Sequence, residues 1–262
     1  MRRKMVVGNW KMNGSIATNK LLLDGLVAGV GELDNSDYVV CVPYPYLCQA
    51  QSLLQDTNIA WGGQNLCSTK NGALTGAVAP HMLTDYGCTH VLIGHSERRS
   101  QFHETDDTAA ARFLAAQQAG ITPIFCMGET AEERESDWTD YIVGRQLDSL
   151  IRRFGANVLD NAVLAYEPLW AVGTGKPATP EQAQEVHAFI RDRIAKLDYE
   201  VAANVKILYG GSVTGENAES LFEMPDIDGG LIGRASLKAE DFVPICRAAH
   251  ATATRCLAIA RH

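Results

Sequence analysis

No apolar run in these 262 residues approaches the roughly 20 needed to cross a bilayer as a helix, which argues against a helical membrane protein. Positive charge is also in deficit. The chain carries 23 Lys and Arg against 31 Asp and Glu, a net charge of −8, so a general nucleic-acid or membrane-surface binder is disfavoured, although a local basic site is still allowed. The opening Met-Arg-Arg-Lys-Met is basic, yet the apolar stretch after it is too short for the core of a signal peptide, and a cytoplasmic protein is expected. Seven cysteines (Cys41, Cys48, Cys67, Cys88, Cys126, Cys246 and Cys256) are odd in number, scattered, and form no C-x-x-C pair. That pattern speaks against a zinc site or a disulfide scaffold and predicts buried, reduced thiols. No linker or low-complexity stretch divides the chain, so one domain spanning residues 1–262 is expected.

What the sequence does contain is an ordinary globular composition, 46% hydrophobic and 21% charged, long enough to bury a large core. Short β-rich runs recur along it: residues 5–7, 38–42, 58–61, 90–93, 122–126, 162–166, 205–209 and 230–232. They are apolar without strict alternation, as parallel strands covered on both faces should be. Eight runs over this length repeat every 33 residues or so, about the size of a β–α unit. Helices are legible between them. Thr179-Pro180-Glu181-Gln182 supplies an N-cap, a proline at the first helical position and a capping-box Gln, followed by Ala183, Val186, Ile190, Ile194 and Leu197 at helical spacing. Ala109, Phe113, Ala116 and Ala119 repeat the spacing before Gly120 ends that helix. The pattern predicts the α/β class and a single (β/α)8 barrel, eight parallel strands surrounded by helices, in preference to an open doubly wound sheet.

In such a barrel, residues just past the C-terminal ends of the strands point into the active site. After the first run stand Asn9 and Lys11, and after the fourth comes Gly94-His95-Ser96-Glu97-Arg98-Arg99. The sixth opens into Glu167-Pro168-Leu169-Trp170 and a Gly-rich stretch up to Lys176. The seventh gives Gly210-Gly211-Ser212 and the eighth Gly233-Arg234-Ala235-Ser236. A carboxylate, an imidazole, a cation and small-residue loops thus converge on one rim.

In order and spacing, the segments at Gly8 to Asn13, Gly94 to Arg99, Tyr166 to Lys176 and Tyr209 to Val213 resemble the triosephosphate isomerase family, and the match covers nearly the whole chain. The resemblance implies interconversion of dihydroxyacetone phosphate and glyceraldehyde 3-phosphate by proton transfer, with no cofactor and no metal. Glu167 would be the base, because moving a proton between adjacent carbons needs one mobile carboxylate near both. His95 would polarise the carbonyl and shuttle protons between the two oxygens. It sits at the start of a short helix whose dipole should disfavour imidazolium. Lys11 would hold the phosphate and the developing enediolate charge, with Asn9 bonding the same oxygen region. Ser96 and Glu97 are implied as supporting residues and Cys126 as a packing neighbour of the site. Gly173, Ser212, Gly233 and Arg234 are implied as the phosphate cradle, built mostly of backbone N–H groups. The remaining histidines considered, His81, His103, His187, His250 and His262, read as structural.

The resemblance also implies a lid over residues 168–178 and a homodimer formed by inserting the loop 64–76 into a second subunit, with Thr75 near the partner copy's Asn9 and Lys11. Three positions depart from the family pattern. Pro177 stands where Thr is usual, Ala77 replaces a Glu whose intersubunit ion pair, with the residue matching Arg98, should be absent here, and Arg234 replaces a second glycine. The residues also allow two other readings. A Lys-dependent aldolase on the same barrel would form an imine at Lys11, and an idle barrel kept for binding would have lost Lys11, His95 or Glu167.

Overall fold

A computed structural model describes residues 2–171 and 177–259. Strands β1 (Lys4–Asn9), β2 (Ser36–Cys41), β3 (Ile59–Gly63), β4 (His90–Ile93), β5 (Thr122–Met127), β6 (Val163–Tyr166), β7 (Lys206–Tyr209) and β8 (Gly229–Ile232) close into a barrel in chain order. Every neighbouring pair is parallel, including the β1–β8 seam that sets Met5 beside Gly229 and Gly8 beside Ile232. All eight runs marked in the sequence are strands, with ends within two residues of those expected.

The period-2 geometry of a strand sorts its apolar residues into two cores. Val7, Val39, Leu92, Ile124, Ala165, Leu208 and Leu231 fill the barrel interior. Their alternates Val6, Val40, Val91, Phe125, Leu164 and Ile207 face outward into the layer between strands and helices. Both faces are therefore dry, which is why the strands read as continuous apolar runs rather than as alternation. Each large side chain buried in this way stabilises the fold by about 1.5–3 kcal/mol.

The helix Pro180–Ala195 begins as its sequence dictates. Thr179 caps the Gln182 N–H while the Gln182 side chain returns to the Thr179 N–H. Ala183, Val186, Ile190 and Ile194 are buried along one stripe, but Leu197 is exposed because the helix stops two residues before it. The helix Asp106–Gln118 is capped by Thr105 and followed by Gly120 at φ 76°, a turn that favours glycine. The thiols correct a second expectation. Cys41, Cys88, Cys126 and Cys246 are free and buried, whereas Cys48, in the helix Leu47–Leu54, is exposed and Cys67, on the connection after β3, partly so. Among the described residues no helix is long and apolar enough to cross a membrane.

Candidate active site

At the C-terminal ends of the strands, residues from four of them meet. β1 ends at Asn9, a buried residue whose Oδ1 accepts the Lys11 N–H at 3.0 Å. Lys11 itself has φ 53°, a left-handed conformation that costs an L-residue about 1–2 kcal/mol. It is held there from both sides, because Gln64 Nε2 donates to the Lys11 carbonyl (2.8 Å) and also to Cys41 O (3.1 Å). The twist aims the Lys11 ammonium across the mouth of the barrel, where it meets Glu97 Oε1 at 2.6 Å.

β4 is followed by Gly94 at φ 69°, and the chain turns there into the helix Ser96–Phe102 with His95 as its N-cap. His95 Nδ1 accepts the Glu97 N–H at 3.3 Å, which assigns the ring proton to Nε2. Arg99, from the same helix, donates to the Gly94 carbonyl at 2.8 Å and pairs with Asp106 at 2.6 Å, stapling the turn.

Glu167 follows β6 and is buried. Its Oε1 lies 2.8 Å from His95 Nε2, and its Oε2 accepts the Ser96 N–H at 3.1 Å. Burial opposes charge on this carboxyl, but His95, the Ser96 N–H and Lys11 together outweigh it and hold its pKa below the usual carboxylate value. For His95, burial likewise opposes charge, yet the Glu167 carboxylate at Nε2 outweighs it and draws the ring pKa up. This reverses the direction expected from the helix N-terminus alone. The dipole and the Glu97 N–H are present, but sequence gives no sign that the carboxylate folds onto the ring.

The remaining strand-end residues divide. Gly233, after β8, is beside Lys11, since a Cβ placed there would lie 3.5 Å from Lys11 Cε. Cys126 is fully buried on β5 opposite Ala165, and burial, reinforced by Glu167, pushes its thiol well up. Ser212 is half-buried past Gly210, and its carbonyl accepts Asn217 Nδ2 at 3.1 Å. No described hydrogen bond or ion pair joins Ser212 to Lys11, His95 or Glu167. Arg234 opens the short turn Arg234–Leu237, exposed, without a positive φ and with no ion-pair partner among the described residues. Gly173 lies outside the described residues, as do positions 172–176 of the expected lid. Pro177 is exposed and Ala178 buried.

One functional-looking carboxylate was missed in the sequence. Glu129, two residues past β5, is fully buried and accepts both the Tyr166 hydroxyl and Trp170 Nε1 at 2.9 Å. It thereby ties the segment after Glu167 to the body of the barrel. The same strand-end rule that marks Asn9 and Glu167 picks out Gly128-Glu129-Thr130. Arg98, the residue expected to lack its partner because of Ala77, pairs within the chain with Glu104, which also takes Arg112.

The family model described as "Triosephosphate isomerase" matches residues 4–249. Similar curated proteins are the triosephosphate isomerases of Nitrosomonas eutropha, 52% identical over 248 residues, and Thiobacillus denitrificans, 55% identical over 249. That of Dechloromonas aromatica is 53% identical over 250 residues. Each alignment covers 95% of this chain and 98–100% of the relative.

Proposed function

The chain belongs to the triosephosphate isomerase family, and on that premise we propose how its own residues interconvert dihydroxyacetone phosphate and glyceraldehyde 3-phosphate, a step of glycolysis and gluconeogenesis. Glu167 is the base. Its carboxylate takes the proton from the carbon next to the carbonyl, leaving an enediolate, and returns it to the neighbouring carbon. The observation that carries this assignment is a buried carboxylate kept ionised by His95, the Ser96 N–H and Lys11. Oε1 is engaged by His95 Nε2 and Oε2 by the Ser96 N–H, so the carboxylate must release both to reach substrate.

His95 then has its Nε2–H free to donate to the substrate oxygens. With Glu167 turned away, the pull that raises its pKa weakens, and the Glu97 N–H on Nδ1 favours the neutral ring. A neutral imidazole donor is the established chemistry of this family. Lys11 supplies a positive charge to the phosphate and the enediolate, with Asn9 alongside, and it exchanges Glu97 for substrate. Backbone N–H groups at Gly173, Ser212, Gly233 and Arg234 cradle the phosphate, while Arg234 keeps its side chain in solvent. The lid over residues 168–178 excludes water from an enediol that could otherwise eliminate phosphate.

The active form is a homodimer built on the loop 64–76, in the cytoplasm. Leu74 in that loop and Met12 beside Lys11 are both exposed, apolar area that a second subunit would cover. Sedimentation should show a dimer, and a monomer at micromolar concentration would remove this part of the reading.

The test of the whole is a coupled assay of the purified protein on glyceraldehyde 3-phosphate, with dihydroxyacetone phosphate as the expected product. Failure to convert it, or an imine trapped on Lys11 by borohydride, would favour the binding or aldolase readings instead.

A further inference from the structure

Gln146 lies on the helix Thr139–Phe154, not on a strand or the loop that follows one, and is buried with only 5% of its surface exposed. Its amide grips Gly128 at both backbone polar atoms. The Gly128 N–H donates to Gln146 Oε1 at 2.8 Å, and Gln146 Nε2 donates to the Gly128 carbonyl at 3.2 Å. Gly128 lies one residue past the last β5–β6 pair, Met127 with Tyr166, so that ladder does not hold it.

What Gly128 touches is the backbone of Glu167. A Cβ on Gly128 would fall 1.9 Å from the Glu167 carbonyl oxygen, a separation that only glycine permits. On either side, the Glu167 N–H donates to Met127 O at 2.7 Å and the Leu169 N–H to Glu129 O at 3.1 Å. The main chain of the base is thus seated on residues 127–129, and Gln146 ties the middle of that seat to the helix layer.

We infer that Gln146 is a positioning residue for the proton transfer: by clamping Gly128 it fixes where the Glu167 carboxylate lies relative to substrate. It touches no reacting atom, and the inference rests on Glu167 being the base. A displacement of about 1 Å in such a group costs on the order of 10²-fold in rate. The effect belongs in kcat, because the phosphate and the substrate oxygens are bound by other residues.

Two variants test it. Gln146→Leu removes both hydrogen bonds at similar volume, and kcat should fall about 10- to 100-fold with KM within about threefold of the parent. Gln146→Glu keeps the shape and the acceptor, but an ionised carboxylate cannot donate to the Gly128 carbonyl. Its kcat, relative to the parent at each pH, should therefore be depressed at neutral pH and recover as the new carboxyl protonates. That recovery would not come from a residue that merely stabilises the fold, and it decides the matter even where Gln146→Leu fails to fold. A folded Gln146→Glu with parental kcat at every pH, or a change confined to KM, overturns the inference. If instead Glu167→Gln is active, the base assignment fails, and that result is distinct from any behaviour of Gln146.

Discussion

His95 Nε2 and Glu167 Oε1 lie 2.8 Å apart, so the ring that should polarise the substrate and the carboxylate that should take its proton are bonded to each other. The contact keeps a buried carboxylate ionised and gives an otherwise unpaired Nε2–H an acceptor. In the proposed mechanism, substrate replaces each partner for the other.

The first prediction concerns that pair. Against the opposing effect of burial, His95, the Ser96 N–H and Lys11 hold the Glu167 pKa below the ordinary value of 4.5. A ¹³C-detected titration of labelled glutamate should therefore place it low, and His95→Gln should move it upward. By linkage, a depressed carboxyl pKa gives stability that is present above the unfolded value and lost as pH falls through the folded one. An unchanged Glu167 titration in His95→Gln would mean that the ring does not hold the carboxylate.

Glu129 behaves in the opposite sense. Burial is the largest effect on it and raises its pKa above 4.5, even though Trp170, Tyr166 and Arg134 pull the other way. A carboxyl raised by folding contributes stability that is complete at low pH and lost as pH rises through the folded value. Glu129→Gln should therefore gain stability relative to the parent as pH rises from acid to neutral. Glu129→Ala, which removes the carboxylate that accepts the Tyr166 hydroxyl, should cost about 1–3 kcal/mol at any pH. Denaturant midpoints across pH measure both. A constant gap between the parent and Glu129→Gln contradicts the first expectation.

Arg234 is the departure from the family pattern that falls within the proposed phosphate cradle, and its side chain is exposed. Arg234→Gly and Arg234→Ala should each change kcat/KM less than about tenfold, under roughly 1.4 kcal/mol of transition-state stabilisation. A rise of about a hundredfold in KM for both would make the guanidinium a phosphate ligand, a role its planar fork would suit.

Much of the fold could be read from the sequence for a physical reason. Strands buried on both faces must be apolar throughout, and helices between them must carry one dry stripe, so periodicity alone marked eight units. The site was legible where chemistry stands at a strand end, as with Asn9, Lys11, His95 and Glu167. Glu129 obeys the same rule, but its role shows only in three dimensions, because its partners Tyr166 and Trp170 are 37 and 41 positions away along the chain. Gln146 is different. In a helical stripe a polar residue reads as an interruption, and its two bonds to Gly128 exist only once the helix packs beneath β5. The direction of the His95 shift was hidden likewise, since it depends on a carboxylate 72 positions along the chain. Leu197 failed for a local reason, because the stripe it continues outruns its helix.

The central claim is that the Glu167 carboxylate moves the proton, and Glu167→Gln tests it at constant shape. In the coupled assay on glyceraldehyde 3-phosphate, kcat should fall by at least about 10³ with KM little changed, because the lost interaction acts mainly in the transition state. Retention of kcat within tenfold of the parent would contradict the account.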